Sequence, residues 1–307
     1  MIAFDTKTTL VKHDLPMQAG GVIMYRGGKS PIAPKIINCF PPHVRYIEPF
    51  AGACNIILRK PRAPFEVIND LDRQVTTFFQ VLRDNPSELL LQLMLTPYSR
   101  EEFATALQEA DNLSPLEEAR AFFIRHNQGF AGKADSVGDW GIGNEIWDGH
   151  QSITSKWNTK IALLQGCAQR LQGIIIDNES ALACINRFVA EDTSSETLIY
   201  CDPPYLPETR KSSRDYRHEM NADDHEKLLR YLIRLDAMVV LSGYPSEMYN
   251  DYLTDWECIT FDVSAHSAGR VGKRKGKEAP RRTECLWRNP AASDAAGRQM
   301  SMFGVTA

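Results

Sequence analysis

The segment from Ile199 to Tyr205 joins an apolar run to the sequence Asp-Pro-Pro-Tyr, and this combination can bind a flat ring that carries an amine. Two consecutive prolines fix two φ angles and remove two backbone N–H donors, so the turn is rigid and poor in donors. The amine hydrogens can be donated to Asp202 and to a carbonyl of the turn, while Tyr205 offers a stacking surface. Because Asp and Pro are also common in turns that only end strands, this segment alone leaves both interpretations open.

A second candidate site follows the strand-like run that ends at Ile47. Glu48 and Pro49 come first, and a turn of small residues, 51–53, then opens a helix. Small residues allow a ligand to approach the backbone at the carboxyl end of a strand, the usual place for ligands in open α/β sheets. Asp70 ends the next strand, at the spacing where nucleoside-binding folds place an acid for the ribose hydroxyls.

The third element, Tyr25 to Ser30, has two glycines before Lys29. It does not match the Gly-x-x-x-x-Gly-Lys pattern of a phosphate-binding loop, and no clear strand leads into it. The alternative is that Lys29 pairs with a carboxylate while Tyr25 covers an adenine ring. Either residue alone has an ordinary structural explanation, but the three elements together favour one functional site.

Taken in order, these elements resemble those of the DNA adenine-N6 methyltransferases of the Dam type, α-class enzymes with an Asp-Pro-Pro-Tyr motif, and in particular phage and prophage members. The similarity spans about residues 22–288. It implies methyl transfer from S-adenosylmethionine to N6 of an adenine that is flipped out of double-stranded DNA. The chain departs from the family at Cys54, where glycine is usual, and at Ser180, where an aspartate is frequent.

The resemblance assigns catalysis to Asp202, Pro203 and Tyr205. The cofactor-binding residues that it implies are Tyr25, Gly28, Lys29, Glu48, Pro49, Phe50, Gly52, Ala53, Asp70 and Asp202. The adenine amine would donate to the Asp202 carboxylate and to the Pro203 carbonyl, which localises the nitrogen lone pair for in-line attack on the methyl group. Positioning then supplies most of the rate enhancement, and neither a metal nor a covalent intermediate is expected.

The elements that must position these residues form two patterns. Short apolar runs alternate with helix-like runs over residues 23–95 and 161–288, which is typical of βαβ units. We therefore predict an α/β fold with the Rossmann-like sheet of an S-adenosylmethionine-dependent methyltransferase. Residues 96–160 contain capping boxes that begin at Ser99 and Ser114, so we predict a helical insertion there that recognises the DNA target.

The formal charge of −4 gives no global sign of nucleic-acid binding, so DNA contacts must come from local patches. Seven cations and one acid lie between Arg270 and Arg282. Such runs are usually solvated turns, but a polyanionic substrate makes phosphate contact the better interpretation. The predicted DNA-binding residues, two of them in a family-like segment before Phe130, are Asn127, Gln128, Arg270, Lys273, Arg274, Lys275 and Lys277.

Composition is that of an ordinary soluble globular protein, with 43% apolar and 24% charged residues. The seven cysteines include no Cys-x-x-Cys pair, which argues against a disulfide framework or a zinc site and favours a reducing cytoplasm. Residues 1–20 lack the apolar core of a signal peptide, and no apolar run reaches membrane-spanning length. We expect a cytoplasmic protein without a metal or a membrane segment.

Both ends of the chain are predicted to be flexible, as an arm over residues 1–22 and a tail over residues 289–307. Gln299 to Phe303 resembles the Gln-Leu-Ser-Leu-Phe peptides with which bacterial replication proteins bind the sliding clamp. The glutamine amide would anchor the peptide, while Met302 and Phe303 would fill an apolar pocket. Clamp binding and an unselected tail both stay open.

Three other functions fit part of this pattern. Cytosine-N4 DNA methylation needs the same geometry, although Ser-Pro-Pro-Tyr is commoner there. RNA or protein-amide methylation would favour Asn-Pro-Pro followed by an aromatic residue. A catalytically dead DNA-binding module would have no reason to keep Lys29, Asp70, Asp202 and Tyr205. The recognition sequence, and whether a restriction enzyme makes this one half of a restriction-modification pair, stay open.

Overall fold

The structure is a computed structural model that describes residues 21–25, 27–108, 112–130, 137–143, 145–147, 150–209, 217–264 and 281–302. The strands within these ranges are β1 (Arg45–Glu48), β2 (Phe65–Asn69), β3 (Ile146–Trp147), β4 (His150–Gln151), β5 (Ile175–Asp177), β6 (Thr197–Cys201), β7 (Met238–Gly243), β8 (Glu257–Ser264) and β9 (Arg281–Arg288). β3 and β4 form a separate hairpin, and the other seven form one sheet in the order β5-β2-β1-β6-β7-β9-β8.

The sheet is parallel except at one edge. β5, β2, β1, β6 and β7 pair in parallel, whereas β9 runs antiparallel between β7 and β8. Every residue of β6 and β7 is buried, and such continuous apolar runs are typical of parallel strands that are covered on both faces. The predicted α/β fold with a Rossmann-like sheet is confirmed.

Helices cover both faces of the sheet. In the described part of the chain they are α1 (Ala33–Asn38), α2 (Arg73–Asp84), α3 (Pro86–Leu95), α4 (Arg100–Leu107), α5 (Pro115–Gln128), α6 (Ser152–Leu171), α7 (Ala181–Phe188), α8 (Ala222–Leu232), α9 (Glu247–Tyr252) and α10 (Pro290–Met302). Side chains alternate between the two faces along β6. Leu198 and Tyr200 pack into the core with α2 to α6, and Ile199 and Cys201 pack into the core with α8 and α9.

The predicted insertion over residues 96–160 does not form a core of its own. The ring of Phe78 on α2 lies 5.4 Å from that of Phe122 and 5.9 Å from that of Phe123, both on α5. The predicted boundary at residue 160 falls inside α6, because the buried positions Trp157 and Ile161 lie on both sides of it and continue one apolar face. Residues 96–160 are therefore continuous with the main core.

The two predicted capping boxes differ in the structure. At α5 the box is complete, since the Ser114 hydroxyl accepts from the Glu117 amide and the Glu117 carboxylate accepts from the Ser114 amide. At α4 the Ser99 side chain caps the helix, but the Glu102 carboxylate pairs with Arg120 at 2.5 Å. Glu102, which the sequence motif assigns to the cap of α4, therefore forms an ion pair with Arg120 of α5 instead.

The tail predicted to be flexible over residues 289–307 is helical from Pro290 to Met302. The buried Asn289 side chain accepts from the Ala292 amide at 3.0 Å and begins this helix. The prediction was wrong here because a small-residue composition was taken as a linker, although alanine is the best helix former and proline suits the first helical turn.

The predicted arm over residues 1–22 lies almost wholly outside the described residues. Val22 is fully buried in the main core, and Lys160 on α6 donates to the Gly21 carbonyl. The chain is therefore anchored by residue 21. Across the described ranges, none of the helices has the length and apolarity needed to cross a membrane.

Replacing Asn289 with alanine should lower the free energy of unfolding by about 2–4 kcal/mol. The Asn289 side chain also accepts from the Val239 amide at 2.9 Å and donates to the Ala237 carbonyl at 2.8 Å, and the variant leaves both groups without these bonds. Urea unfolding followed by circular dichroism measures the change. Asn250→Ala on α9, at an exposed position, is the control. Equal midpoints for the two variants would contradict this role of Asn289.

Candidate active site

A cavity of about 350 Å³ opens at the carboxyl ends of β1 and β6. The strand order reverses between these two strands, because β2 and β5 continue on one side and β7 on the other. Connections leave in opposite directions at such a switch point, and ligands of open α/β sheets bind in the crevice that results. The volume lies within the range of small-molecule sites, roughly 300–1,000 Å³.

All ten residues predicted to bind the cofactor line this one cavity. They are Tyr25, Gly28, Lys29, Glu48, Pro49, Phe50, Gly52, Ala53, Asp70 and Asp202. They come from four segments that lie far apart in the chain and meet at the carboxyl edge of the sheet. The sequence prediction missed the opposite wall, which is formed by Ser180 to Leu182, Arg217 to Met220 and three residues of α8, Asp224, Lys227 and Leu228.

Asp70, directly after β2, fixes the turn of small residues that follows β1. The Gly52 amide donates to Asp70 Oδ2 at 2.8 Å, and the Asp72 amide donates to Oδ1 at 2.9 Å. Burial raises the pKa of Asp70 to about 6, and these two hydrogen bonds oppose the rise. Each carboxylate oxygen has a second lone pair, so Asp70 can still accept hydrogen bonds from ligand hydroxyls.

The turn itself uses left-handed backbone conformations. Gly52 has φ 47°, and a Cβ there would lie 3.5 Å from the Tyr25 ring. Cys54, where the resembling family usually has glycine, has φ 53°. A non-glycine residue in this region costs roughly 1–2 kcal/mol, which explains why glycine suits position 54. The Cys54 side chain is buried.

Tyr25 links the cavity to the helical region. Its ring stacks on His126 of α5, with centroids 5.3 Å apart and an angle of 16° between the planes. Burial lowers the pKa of His126 to about 4, although the hydrogen bond with the Phe122 carbonyl opposes this. His126 is therefore neutral at pH 7, and its Nδ1–H donates to Phe122. The stack places the end of α5 beside the wall of the cavity.

Glu48, the last residue of β1, is 2% exposed. The Tyr46 hydroxyl donates to Glu48 Oε2 at 2.8 Å. Burial raises the pKa of Glu48 to about 8, against the lowering effect of this hydrogen bond. The carboxyl group therefore carries a proton at neutral pH and can donate a hydrogen bond into the cavity as well as accept one.

Asp202, directly after β6, is paired with Lys29. The Lys29 Nζ lies 2.7 Å from Asp202 Oδ1 and 3.4 Å from Glu284 Oε1, and it donates to the Gly27 carbonyl at 3.2 Å. Burial raises the pKa of Asp202, and the Lys29 ammonium opposes that rise. The predicted pairing of Lys29 with a carboxylate is confirmed.

Tyr205 is only 6% exposed, and its hydroxyl donates to Glu284. Its ring meets Tyr244 edge-on with centroids 4.6 Å apart, and the Lys29 Nζ lies 4.5 Å from the ring centroid. Tyr205 is not among the described residues that line the cavity, whereas Pro204 is. Pro203, which lies between Asp202 and Pro204, is buried. Stacking of a base on Tyr205 stays a prediction, because neighbouring groups cover its ring in this structure.

Glu284 is a site residue that the sequence prediction missed. It lies on β9, is 4% exposed and accepts hydrogen bonds from Tyr205 and, at 3.4 Å, from Ser242. A signal was present in the sequence, since Glu284 is a lone acid before the apolar run 285–287. A charge on a strand that is otherwise buried needs a partner, but its partners are far away in the chain.

The surroundings of Gln128 contradict its predicted contact with DNA. Gln128 is fully buried, its amide donates to the Pro97 carbonyl, and its amide oxygen accepts from the Ser99 backbone. It fixes the loop before α4 and does not face solvent. Asn127 is half-buried and its side chain donates to the Phe123 carbonyl at 3.2 Å, so its contact with DNA stays a prediction.

The remaining predicted contacts lie mostly outside the described residues. This holds for Arg270, Lys273, Arg274, Lys275 and Lys277, and for Phe303 at the end of the predicted clamp-binding peptide. The backbone from Gln299 to Met302 is helical. Among the described residues, no cluster of three or more His, Cys, Asp or Glu side chains could hold a metal ion.

The chain is similar to a known family and to characterised relatives. The model of the family described as D12 class N6 adenine-specific DNA methyltransferase matches residues 25–268. A DNA N-6-adenine-methyltransferase of Escherichia phage P1 is 24% identical over 264 residues, which are 80% of this chain and 33% of that protein. This chain thus spans about a third of the length of the phage P1 relative.

A second relative matches over most of both lengths. The type II methyltransferase M1.LlaDCHI of Lactococcus lactis subsp. cremoris is 22% identical over 285 residues, 86% of this chain and 93% of that protein. Among solved structures, the rRNA methyltransferase aviRa from Streptomyces viridochromogenes aligns with 86% of this chain and 84% of that chain, at 12% identity and a TM-score of 0.30. A likeness of that degree adds nothing to the fold assignment.

The Glu48→Gln variant should become progressively more stable relative to the wild type as the pH rises from about 4.5 to about 8. The ordinary pKa of 4.5 is raised to about 8 in the folded protein, so the stability that the wild type gains from the protonated carboxyl is present below pH 4.5 and is lost as the pH rises through 8. Glutamine resembles the protonated acid and does not titrate. Urea unfolding at pH 5, 7 and 9 measures the difference, with the exposed Glu191→Gln as control. A difference independent of pH would show that Glu48 ionises normally.

Proposed function

Because the chain belongs to the D12 class of N6 adenine-specific DNA methyltransferases, we propose that it transfers the methyl group of S-adenosylmethionine to N6 of adenine in double-stranded DNA. One observation carries the proposal. The ten residues expected around the cofactor line a single cavity at the switch point of the sheet, and Asp202 lies at its edge with an 18% exposed side chain. The carboxylate can therefore face a ligand in the cavity and a base that approaches from outside.

The lining of the cavity fits a nucleoside with a charged, flexible end. Tyr25 offers an aromatic face, and Asp70 has lone pairs for ribose hydroxyls. The turn at Gly52 lets a ligand approach the backbone closely. Lys29, Lys227 and Asp224 supply charge for an amino-acid moiety. When bound, S-adenosylmethionine would supply an electrophilic methyl group, and the chain's own residues would orient the acceptor.

Asp202 and Pro203 would prepare the acceptor amine. The Pro203 carbonyl is held by the rigid Pro-Pro turn, and the Asp202 carboxylate is held by Lys29 at 2.7 Å. Two acceptors at fixed positions would draw the amine nitrogen toward tetrahedral geometry, which takes its lone pair out of conjugation with the ring and directs it toward the methyl group. The geometry is set before the base arrives, so little reorganisation is needed during transfer.

Mass spectrometry of nucleosides tests the reaction directly. Duplex DNA incubated with the protein and isotopically labelled S-adenosylmethionine should yield labelled N6-methyladenine. Labelled N4-methylcytosine would reassign the target base. Duplex binding without any labelled nucleoside, on duplexes that together contain every short sequence, would favour a DNA-binding module.

Asp202→Ala should lower the methyl-transfer rate by about 100- to 1,000-fold, because the variant loses a preorganised acceptor of the amine hydrogens. Cofactor binding should stay measurable in calorimetry, since the other lining residues remain. Asp236→Ala is the control, because Asp236 is exposed before β7 at the opposite edge of the sheet. A variant at Asp202 that retains a tenth of the wild-type rate would contradict the mechanism.

Replacing Lys273, Arg274, Lys275 and Lys277 with alanine should weaken binding to all duplexes alike. Each lost phosphate contact should reduce the slope of log affinity against log salt by about 0.9. Fluorescence anisotropy over a range of salt concentrations measures both effects. A variant with the exposed Arg230 and Arg234 replaced by alanine is the control. If the methylated sequence changes while the salt slope does not, the segment reads bases and not phosphates.

A further inference from the structure

We propose that Glu284 is a positioning residue of the methyl-transfer site, which holds the Lys29 ammonium against Asp202 and fixes the hydroxyl of Tyr205. This inference rests on the proposed function. It assigns a role to a strand, β9, that lies outside the motifs from which the reaction is inferred. Glu284 acts through Lys29 and Tyr205.

The contacts of Glu284 join three parts of the site. Its Oε1 lies 3.4 Å from the Lys29 Nζ and accepts hydrogen bonds from the Tyr205 hydroxyl and from Ser242 Oγ. The hydroxyls of Tyr205 and Ser242 lie 3.3 Å apart. One carboxylate oxygen thus contacts an ammonium and accepts from two hydroxyls.

The charges explain why a second carboxylate is useful. Lys29, Asp202 and Glu284 have side chains that are only 7%, 18% and 6% exposed. If the Lys29 ammonium contacted Asp202 alone, it would donate its hydrogen bonds to that carboxylate. Fewer lone pairs of Asp202 would then remain to accept from the substrate amine. Because Lys29 is shared with Glu284 and with the Gly27 carbonyl, Asp202 keeps acceptor capacity while its charge stays partly balanced.

Strand pairing fixes the backbone of Glu284, directly through β8 and, through the next residue of β9, by β7. It pairs with Phe261 of β8, and the next residue, Cys285, pairs with Gly243 of β7. The side chains of Ser242 and Glu284 therefore leave neighbouring strands at fixed positions. Antiparallel strands locked in register are stiffer supports for a site than loops, whereas Lys29 and Tyr205 both lie in loops.

The pH dependence of the methyl-transfer rate, on its acidic side, can test this role of Glu284. The titratable groups around Asp202 are Lys29, Glu48, Tyr200, Cys201, Tyr205, Tyr249 and Glu284. Below pH 7 Glu48 keeps its proton, since its pKa is about 8. The negative charge of Glu284 raises the pKa of Asp202. Removing that charge should therefore let Asp202 ionise at lower pH.

The test is Glu284→Gln, which keeps the size of the side chain and an acceptor for Tyr205. The single-turnover rate constant of methyl transfer should fall roughly 10- to 100-fold, and its acidic limb should move to lower pH. Affinities for cofactor and duplex should stay within about threefold. Glu257→Gln is the matched control. Glu257 lies on β8, next to β9, pairs with Arg288 and has a 45% exposed side chain.

A lower rate with an unmoved acidic limb would assign Glu284 a purely structural role and overturn the proposal. A shifted limb without a lower rate, or neither change, would overturn it as well. A rate that falls only because less protein is folded would appear as a reduced active fraction in cofactor titration, and it counts against the proposal.

A second measurement does not depend on methyl transfer. Lys29→Met, Glu284→Gln and the double variant form a cycle in urea unfolding, where the shift of the midpoint in the double variant should be smaller than the sum of the single shifts. Additive shifts would overturn the contact. If the wild type methylates no duplex, the proposed function fails, and this cycle alone then decides whether Glu284 and Lys29 act together.

Discussion

A buried ammonium needs opposite charge, and Lys29 finds it on Asp202 and Glu284, at 2.7 and 3.4 Å. An isolated charge at such a place would cost far more than one charged pair gains in water. Satisfying it joins the loop before α1, the end of β6 and the antiparallel strand β9. The site exists because these three segments must meet there, so the ion group sets the geometry of Asp202 and, through Glu284, of Tyr205.

The sheet decides where that meeting takes place. Parallel strands end at the same edge, and the reversal between β1 and β6 opens a crevice there. Glu48 is the last residue of β1, and Asp202 directly follows β6. Asp70, directly after β2, accepts a hydrogen bond from the Gly52 amide in the turn after β1. A ligand in the crevice is surrounded by backbone turns whose positions are fixed by strand pairing, which is the stiffness that a transfer reaction governed by positioning requires.

The helical region packs into the same core as the sheet. Its phenylalanines pack on α2, α6 continues without a break from the region into the α/β core, and Tyr25 of the cavity wall stacks on His126. The predicted target-recognition surface and the predicted cofactor wall thus share side-chain contacts.

The sequence by itself determined the fold class and ten of the residues that line the cavity. The run from Leu198 to Cys201 in β6 is apolar, and the turns after β1 and β6 contain small residues and prolines. Both signals are local and can be read from neighbours in the chain. The partner of Glu284, the burial of Gln128 and the burial of Asn289 were decided only by the tertiary structure. Each depends on a partner far away in the chain: Lys29 for Glu284, Pro97 and Ser99 for Gln128, Ala237 and Val239 for Asn289. A polar residue shows its type in the sequence, but its burial and its partner follow from long-range packing, and no local pattern carries that information.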